Sequence, residues 1–363
     1  MPVSPCCEYY GYLPRLIRKS APTASALAVA VPAAAANNTL FTLTATECNS
    51  APRAEGSVHP PSTYTLSEPL TYTIAELPPK PALSLRLVII SDTHERHHEM
   101  KVPDGDVLMH CGDILEGMKF FHNADSALAD FATWINDPVL HPHPVKLIIA
   151  GNHDKAIARM SVSSVRSLFA PALYLCNDSA LIEPVGVRVY GSPRSIANSR
   201  CSPNTAFQSK EWWVPFMFPS AFTEEGSVET ASLGLRSGDP LRVRLEGTAP
   251  RGPIDILMTH QSADFPRFCH TVEEQPICTY VQQVAPRRAF FCGHLHGAHG
   301  MHRLPVPLAV RASFGLRRSG DEVPGEQKVL GEIPFVPCIN ASMMMGLPGR
   351  RKLLPASVVD LEL

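Results

Sequence analysis

Leu85-Arg86-Leu87-Val88-Ile89-Ile90-Ser91-Asp92-Thr93-His94 is the stretch that decides the fold. Its first six residues are a short, β-rich apolar run, the pattern of a strand buried on both faces. An acid and an imidazole follow directly, where that strand would end. The arrangement returns four times downstream. Val107-Leu108-Met109-His110-Cys111 runs into Gly112-Asp113-Ile114-Leu115-Glu116, and residues 145–150 run into Gly151-Asn152-His153-Asp154. Residues 254–258 run into Thr259-His260, and Ala289-Phe290-Phe291-Cys292 runs into Gly293-His294-Leu295-His296. Val187-Arg188-Val189-Tyr190 is a further strand, closed by Gly191-Ser192-Pro193. Ala127, Leu128, Phe131, Trp134 and Ile135 have helical spacing within 124–136, and 278–284 reads as a second helix stopped by Pro286. Strands alternating with helices predict an α/β layered fold. The carboxyl ends of parallel strands share one edge, where ligands bind. Five distant segments are therefore expected to converge on one place.

The residues at those ends suit a metal. Asp92, His94, Asp113, Asn152, His260, His294 and His296 offer carboxylates, imidazoles and an amide oxygen, with no thiolate. That set fits Mn, Fe, Zn or Ni better than a structural zinc. It exceeds what one tetrahedral ion uses, and two ions bridged by one carboxylate account for the surplus. Gly112, Gly151 and Gly293 stand before ligands, where the backbone must turn tightly. Any one Asp-x-His pair is weak, since a lone His is more often a solvated or satisfied histidine. Five such elements in order, each after a strand, are not explained that way.

This constellation resembles the calcineurin-like metallophosphoesterase superfamily over residues 85–363. The pattern Asp-x-His, Gly-Asp-x-x-(Asp/Glu), Gly-Asn-His-(Asp/Glu), His, Gly-His-x-His is present in full. Pro78-Pro79-Lys80-Pro81, Ala150-Gly151-Asn152-His153, Tyr190-Gly191-Ser192-Pro193 and Ile339-Asn340-Ala341-Ser342 are similar to the metallophosphoesterase domain-containing group, related to class III cyclic-nucleotide phosphodiesterases. The resemblance implies a layered β-sandwich flanked by helices. It implies two divalent metal ions, one held by Asp92, His94 and His296, the other by Asn152, His260 and His294, with Asp113 bridging. It further implies hydrolysis of a phosphodiester by a metal-bridged hydroxide. His153 would protonate the leaving oxygen, and Glu116 would orient and charge-stabilise His153. Arg96 is a candidate phosphate contact. Protein phosphatases of the superfamily carry Arg where this chain has Gly117 and Ala150, so that branch is disfavoured. Asp154 where relatives usually have Glu, and Gln261-Ser262-Ala263 where Gly-Pro-Pro is common, bear on substrate choice. A binding protein with a vestigial site, or a nuclease, are the alternatives.

Composition narrows the rest. The 363 residues carry a formal net charge of -2, so there is no basic footprint for bulk nucleic-acid binding. No apolar run reaches the ~18 residues of a membrane span. The 10 cysteines are scattered with no Cys-x-x-Cys pair, as expected for reduced thiols in the cytoplasm. Of the 35 prolines, 12 lie in residues 1–83 with only 10 charged residues. That segment reads as Pro/Ala-rich and largely disordered, apart from short strands at Tyr64-Thr65-Leu66 and Tyr72-Thr73-Ile74. The resemblance implies that residues 84–363 form one catalytic domain, with insertions expected near 197–250 and 314–332. Trp212 and Trp213 lie in the first insertion. His97, His98, His141 and His143 read as loop histidines, while His299 and His302 lie close enough to the last motif to be pocket candidates. Oligomeric state is left open, and the expected partner is a small phosphoester.

Overall fold

A computed structural model describes residues 38–46, 63–66, 70–72, 77–117, 123–196, 202–209, 240–248, 252–262, 281, 284, 286–305, 335–345 and 352–363. The insertion at 314–332, Trp212 and Trp213, and most of 1–83 lie outside these residues. Of the helix expected over 278–284, Val281 and Val284 are described, and both are helical.

The apolar runs form strands because they are rich in β-branched residues and are covered on both faces. The strands in chain order begin with β1 (Asn38–Thr46), β2 (Thr63–Leu66), β3 (Leu70–Tyr72), β4 (Ser84–Ile90), β5 (Val107–Cys111), β6 (Val145–Ile149) and β7 (Leu173–Tyr174). They continue with β8 (Asp178–Glu183), β9 (Val187–Ser192), β10 (Ser195–Ile196), β11 (Gln208–Ser209), β12 (Arg242–Gly247), β13 (Ile256–Thr259) and β14 (Ala289–Cys292). The last are β15 (Gly300–Pro305), β16 (Phe335–Asn340), β17 (Met344–Met345), β18 (Lys352–Leu353) and β19 (Ser357–Glu362). One sheet runs β2-β1-β19-β4-β5-β6-β7, with β3 also on β1. A second runs β12-β8-β9-β13-β14-β16-β15. Within them β4 to β7 are mutually parallel, as are β9, β13, β14 and β16. The fold is thus the expected α/β sandwich. Three of its strands come from residues 1–83: β2 takes in the expected Tyr64-Thr65-Leu66, β3 meets the second expected strand at Tyr72, and β1, in a stretch expected to be loose, lies parallel to β19 and pairs with both.

Side chains alternate between faces with period two. Leu85, Leu87 and Ile89 enter the core between the sheets, with Met109, Leu147, Val189, Met258 and Phe291. Val88 and Ile90 point the other way, onto Leu128, Phe131, Ile135 and Phe169 of the flanking helices. The helix Ala124–Asn136 starts where the Asn123 side chain accepts from the Ser126 N–H, which caps an otherwise orphan donor.

The C-terminal strand is locked beside β4. Arg86 and Asp360 stand opposite each other in the register. The Arg86 guanidinium donates to both Asp360 oxygens, each at 2.7 Å, with both side chains buried. Removing one partner strands the other charge. Asp360→Ala is therefore expected to destabilise the fold by about 3–5 kcal/mol in denaturant unfolding, well beyond a surface substitution.

His141 and His143 are buried rather than solvated. His141 packs edge-on against Trp134, and neither of its ring nitrogens has a hydrogen-bond partner among the described residues. Burial first, then the nearby His143 and Lys146, drop His141 to about 4; burial also drops His143 to about 4. A base with a depressed folded pKa takes up protons sooner when unfolded, so stability falls as pH drops from the unfolded value toward 4. His141→Leu is expected to flatten the decline in Tm between about pH 7 and about pH 5; an unchanged slope contradicts this.

Candidate metal centre

The five motifs meet at one rim because the parallel strands of both sheets end there. Asp92 N–H donates to Gly112 O (2.9 Å), tying the end of β4 to that of β5. Gly293 N–H donates to His260 O (3.2 Å), tying β14 to β13. His260 Nδ1 reaches Cys111 O at 2.9 Å, joining the second sheet to the first. Asp92, His94, Asp113 and His294 all hold left-handed backbone, with φ of 55, 43, 57 and 72°. Such strain costs about 1–3 kcal/mol per residue and persists only where surroundings enforce it. Asp154 is one enforcer. Its carboxylate accepts from the N–H groups of Gly151 (2.7 Å), Leu115 (2.9 Å) and Ile114 (3.3 Å), clamping the Asp113 turn to the Asn152 turn. Burial, then the Asp113 charge, raises Asp154 to about 7.

Among the described residues four sets of side chains lie close enough to hold a cation: His97, His98 and Asp130 form one, His94, Asp113 and His153 form another that overlaps the rim sets, and two remain as the principal groups of the rim. Asp92, His94 and His296 form one, and Asp113, His260 and His294 form the other. Asn152 belongs with the second: its Oδ1 lies 2.8 Å from His294 Nδ1 and 2.9 Å from His260 Nε2. Asp113 sits between the groups, with Oδ1 3.3 Å from His260 Nε2 and Oδ2 3.9 Å from His94 Nε2. His296 Nε2 lies 3.2 Å from Asp92 Oδ1 and 3.3 Å from His94 Nε2.

Hydrogen-bond accounting tests whether a cation belongs here. His94 Nδ1 faces Leu115 O at 2.9 Å and His260 Nδ1 faces Cys111 O. A carbonyl only accepts, so both Nδ1 atoms carry a proton, and in the neutral rings both Nε2 atoms turn lone pairs into the site. Asn152 Nδ2 donates to Asn204 O (3.4 Å), which turns Oδ1 inward. His260 Nε2, Asn152 Oδ1 and Asp113 Oδ1 are then all acceptors facing one another. With His260 neutral they lack a donor between them; a proton on His260 or a bound cation meets that demand, and N/O donors of this kind suit divalent metals.

The electrostatics agree. Burial pulls His260 down, but Asp113, its hydrogen bond and Asp92 outweigh it and raise the ring to about 10. Without a metal, a proton on His260 answers the demand. Burial drops His94 to about 4 and His294 to about 3, keeping both neutral as metal binding requires. Burial opposes ionisation of Asp113 and Asp92. The imidazoles around them prevail, and both stay below the usual carboxylate range.

Other expected site residues sit less simply. His153 Nδ1 donates to Glu116 O (2.8 Å), and its Nε2 lies 3.9 Å from Asp113 Oδ2. So Glu116 orients His153 through its main-chain carbonyl, whereas a carboxylate contact was expected. The Glu116 carboxylate instead adds to the field on Arg96. Arg96 forks onto Glu99 at 2.7 and 2.5 Å, one helical step along the chain, so a phosphate would have to displace that carboxylate. His299 turns Nδ1 to Ser342 O at 2.9 Å. Two further contributors lie outside the expected set of site residues. Ser342 Oγ donates to Asp92 Oδ2 (2.7 Å), and Asn204 Nδ2 reaches His153 Nε2 (3.0 Å). Ser342 is findable only through the Asn-Ala-Ser run that ends a strand beside β14.

Gly293 is present for space. A Cβ there would fall on Ser91 Oγ and Asp92 Oδ2. Gly293→Ala is expected to displace Asp92 and lower metal content measured on the purified protein, while the fold is retained by circular dichroism. Unchanged metal content contradicts this account of the rim.

Comparison with known proteins reaches the same rim independently. The family model for calcineurin-like phosphoesterases matches residues 85–298, which include every residue placed around the two groups except Ser342. A UPF0046 protein of Caenorhabditis elegans is 34% identical over 250 residues, covering 60% of this chain and 70% of its own. Human metallophosphoesterase domain-containing protein 1 is 25% identical over 262 residues, covering 65% and 68%. The match takes in more than half of the chain and all five strand ends, and on that ground the chain belongs to the calcineurin-like phosphoesterase family.

Proposed function

We propose that this protein is a metal-dependent hydrolase of small phosphodiesters, with cyclic nucleotides the first candidates. The observation that carries this reading is the inward-facing set of acceptors, with the His153 edge beside it. Asp92, His94 and His296 would hold one ion, and Asn152, His260 and His294 the other, with Asp113 shared. When bound, divalent cations lower the pKa of water and neutralise charge developing at phosphorus. His153, fixed by Glu116 O, turns Nε2 toward Asp113 and the rim, where it delivers a proton to the leaving oxygen. Gly117 and Ala150 support a diester substrate over a phosphoprotein, because neither supplies a guanidinium to grip a phosphate dianion. A reducing compartment such as the cytoplasm is part of the same proposal, supported by cysteines that are scattered in sequence with no Cys-x-x-Cys pair.

The test is hydrolysis of bis-p-nitrophenyl phosphate with Mn²⁺. Asp113→Ala is expected to lose about 100-fold or more, and His299→Ala to stay near wild type. The reverse pattern overturns the assignment. On a panel of cyclic nucleotides, dinucleotides and monoesters, diesters should turn over fastest; turnover of monoesters alone rejects the diester reading.

A further inference from the structure

We propose that Asn204 is a positioning residue for the reaction, holding the reactive edge of His153. The proposal rests on His153 serving the leaving group. Asn204 belongs to the segment 202–209, read from sequence as an insertion, yet it is joined to the heart of the Gly-Asn-His motif. Its Nδ2 lies 3.0 Å from His153 Nε2. Its main-chain oxygen accepts from Asn152 Nδ2, and Ala206 N–H donates to Asn152 O at 3.1 Å. Three bonds thus join one short segment to two adjacent site residues.

The chemistry explains why an amide stands there. Glu116 O holds the proton of His153 on Nδ1, so Nε2 is a bare acceptor and the Asn204 N–H group is its donor. Turned by half a rotation, the same amide presents Oδ1 to an Nε2–H. It therefore holds the ring with or without a proton on that atom. Neither a carboxylate nor an aliphatic side chain does both. Room for the amide is built in. Gly117 has φ 97°, and a Cβ there would lie 2.5 Å from Asn204 Oδ1 and 3.0 Å from His153 Nδ1. Asn204 Oδ1 is buried and has no partner among the described residues. An acceptor left unsatisfied in this way is costly, and a ring-holding role accounts for it.

A donor of this kind matters most when the leaving oxygen is a poor leaving group and needs the proton. The experiment compares phenyl and p-nitrophenyl diesters as substrates for the full-length, Mn²⁺-loaded protein, using Asn204→Leu, Asn204→Ala and His153→Ala. Both Asn204 variants are expected to lose roughly tenfold in kcat on the phenyl diester and much less on the p-nitrophenyl diester, with KM and metal content unchanged. In the metal-free protein, the Nε2 signal of His153 in ¹⁵N NMR should shift in both variants. Asn204 variants that match wild type on both substrates, while His153→Ala loses selectively on the phenyl diester, overturn the proposal and leave the role of His153 intact. Equal loss on both substrates in His153→Ala overturns the role of His153, and the proposal with it. Loss of metal in the Asn204 variants assigns the residue to folding of the rim and also overturns the proposal.

Discussion

The carboxylate of Asp113 is buried to 1% exposure, and its ion-pair partners among the described residues are imidazoles alone. The rest of the rim is arranged around that constraint. A buried carboxylate needs either a positive charge or several donors. Here the His153 N–H supplies one bond at 2.8 Å, the ring of His94 turns a lone pair toward it, and without a metal a proton on His260 supplies the balance. The deficit of donors is what makes the place a cation site. The carbonyls of Leu115, Cys111 and Glu116 enforce it, since each fixes a ring proton on the side away from the centre.

Strain and packing support that arrangement. Four site residues hold left-handed backbone, which a loose scaffold would relax. The strands beneath them are buried on both faces, by the inter-sheet core on one side and the helices on the other. Such close-packed layers deform little. Asp154 adds three backbone hydrogen bonds that join two of the turns. A shorter acid than the expected Glu still reaches all three.

Much of this was legible in the sequence because the information is local. Apolar runs identify β4, β5, β6, β9, β13 and β14, and the motif residues sit at their ends whatever else the chain does. What was not legible depends on distant partners. β1 is a strand because β19, some 300 residues later, offers it an edge. Its neighbours in sequence are rich in Pro and Ala and point the other way. Glu116 was read by its side chain, but the structure uses its main-chain oxygen, which every residue type carries. Arg96 is a phosphate candidate by residue type, but Glu99 at i+3 is well placed to take its fork. Asn204 has no motif of its own; its role appears only when the chain returns to His153.

The central claim is that the rim holds two divalent cations. Titrating the metal-free, full-length protein with Mn²⁺ by calorimetry, with metal content measured after dialysis, tests it most directly. The account predicts two ions per chain, with proton release as the His260 imidazolium gives up its charge. Binding of no ion, or of one ion without proton release, would contradict it.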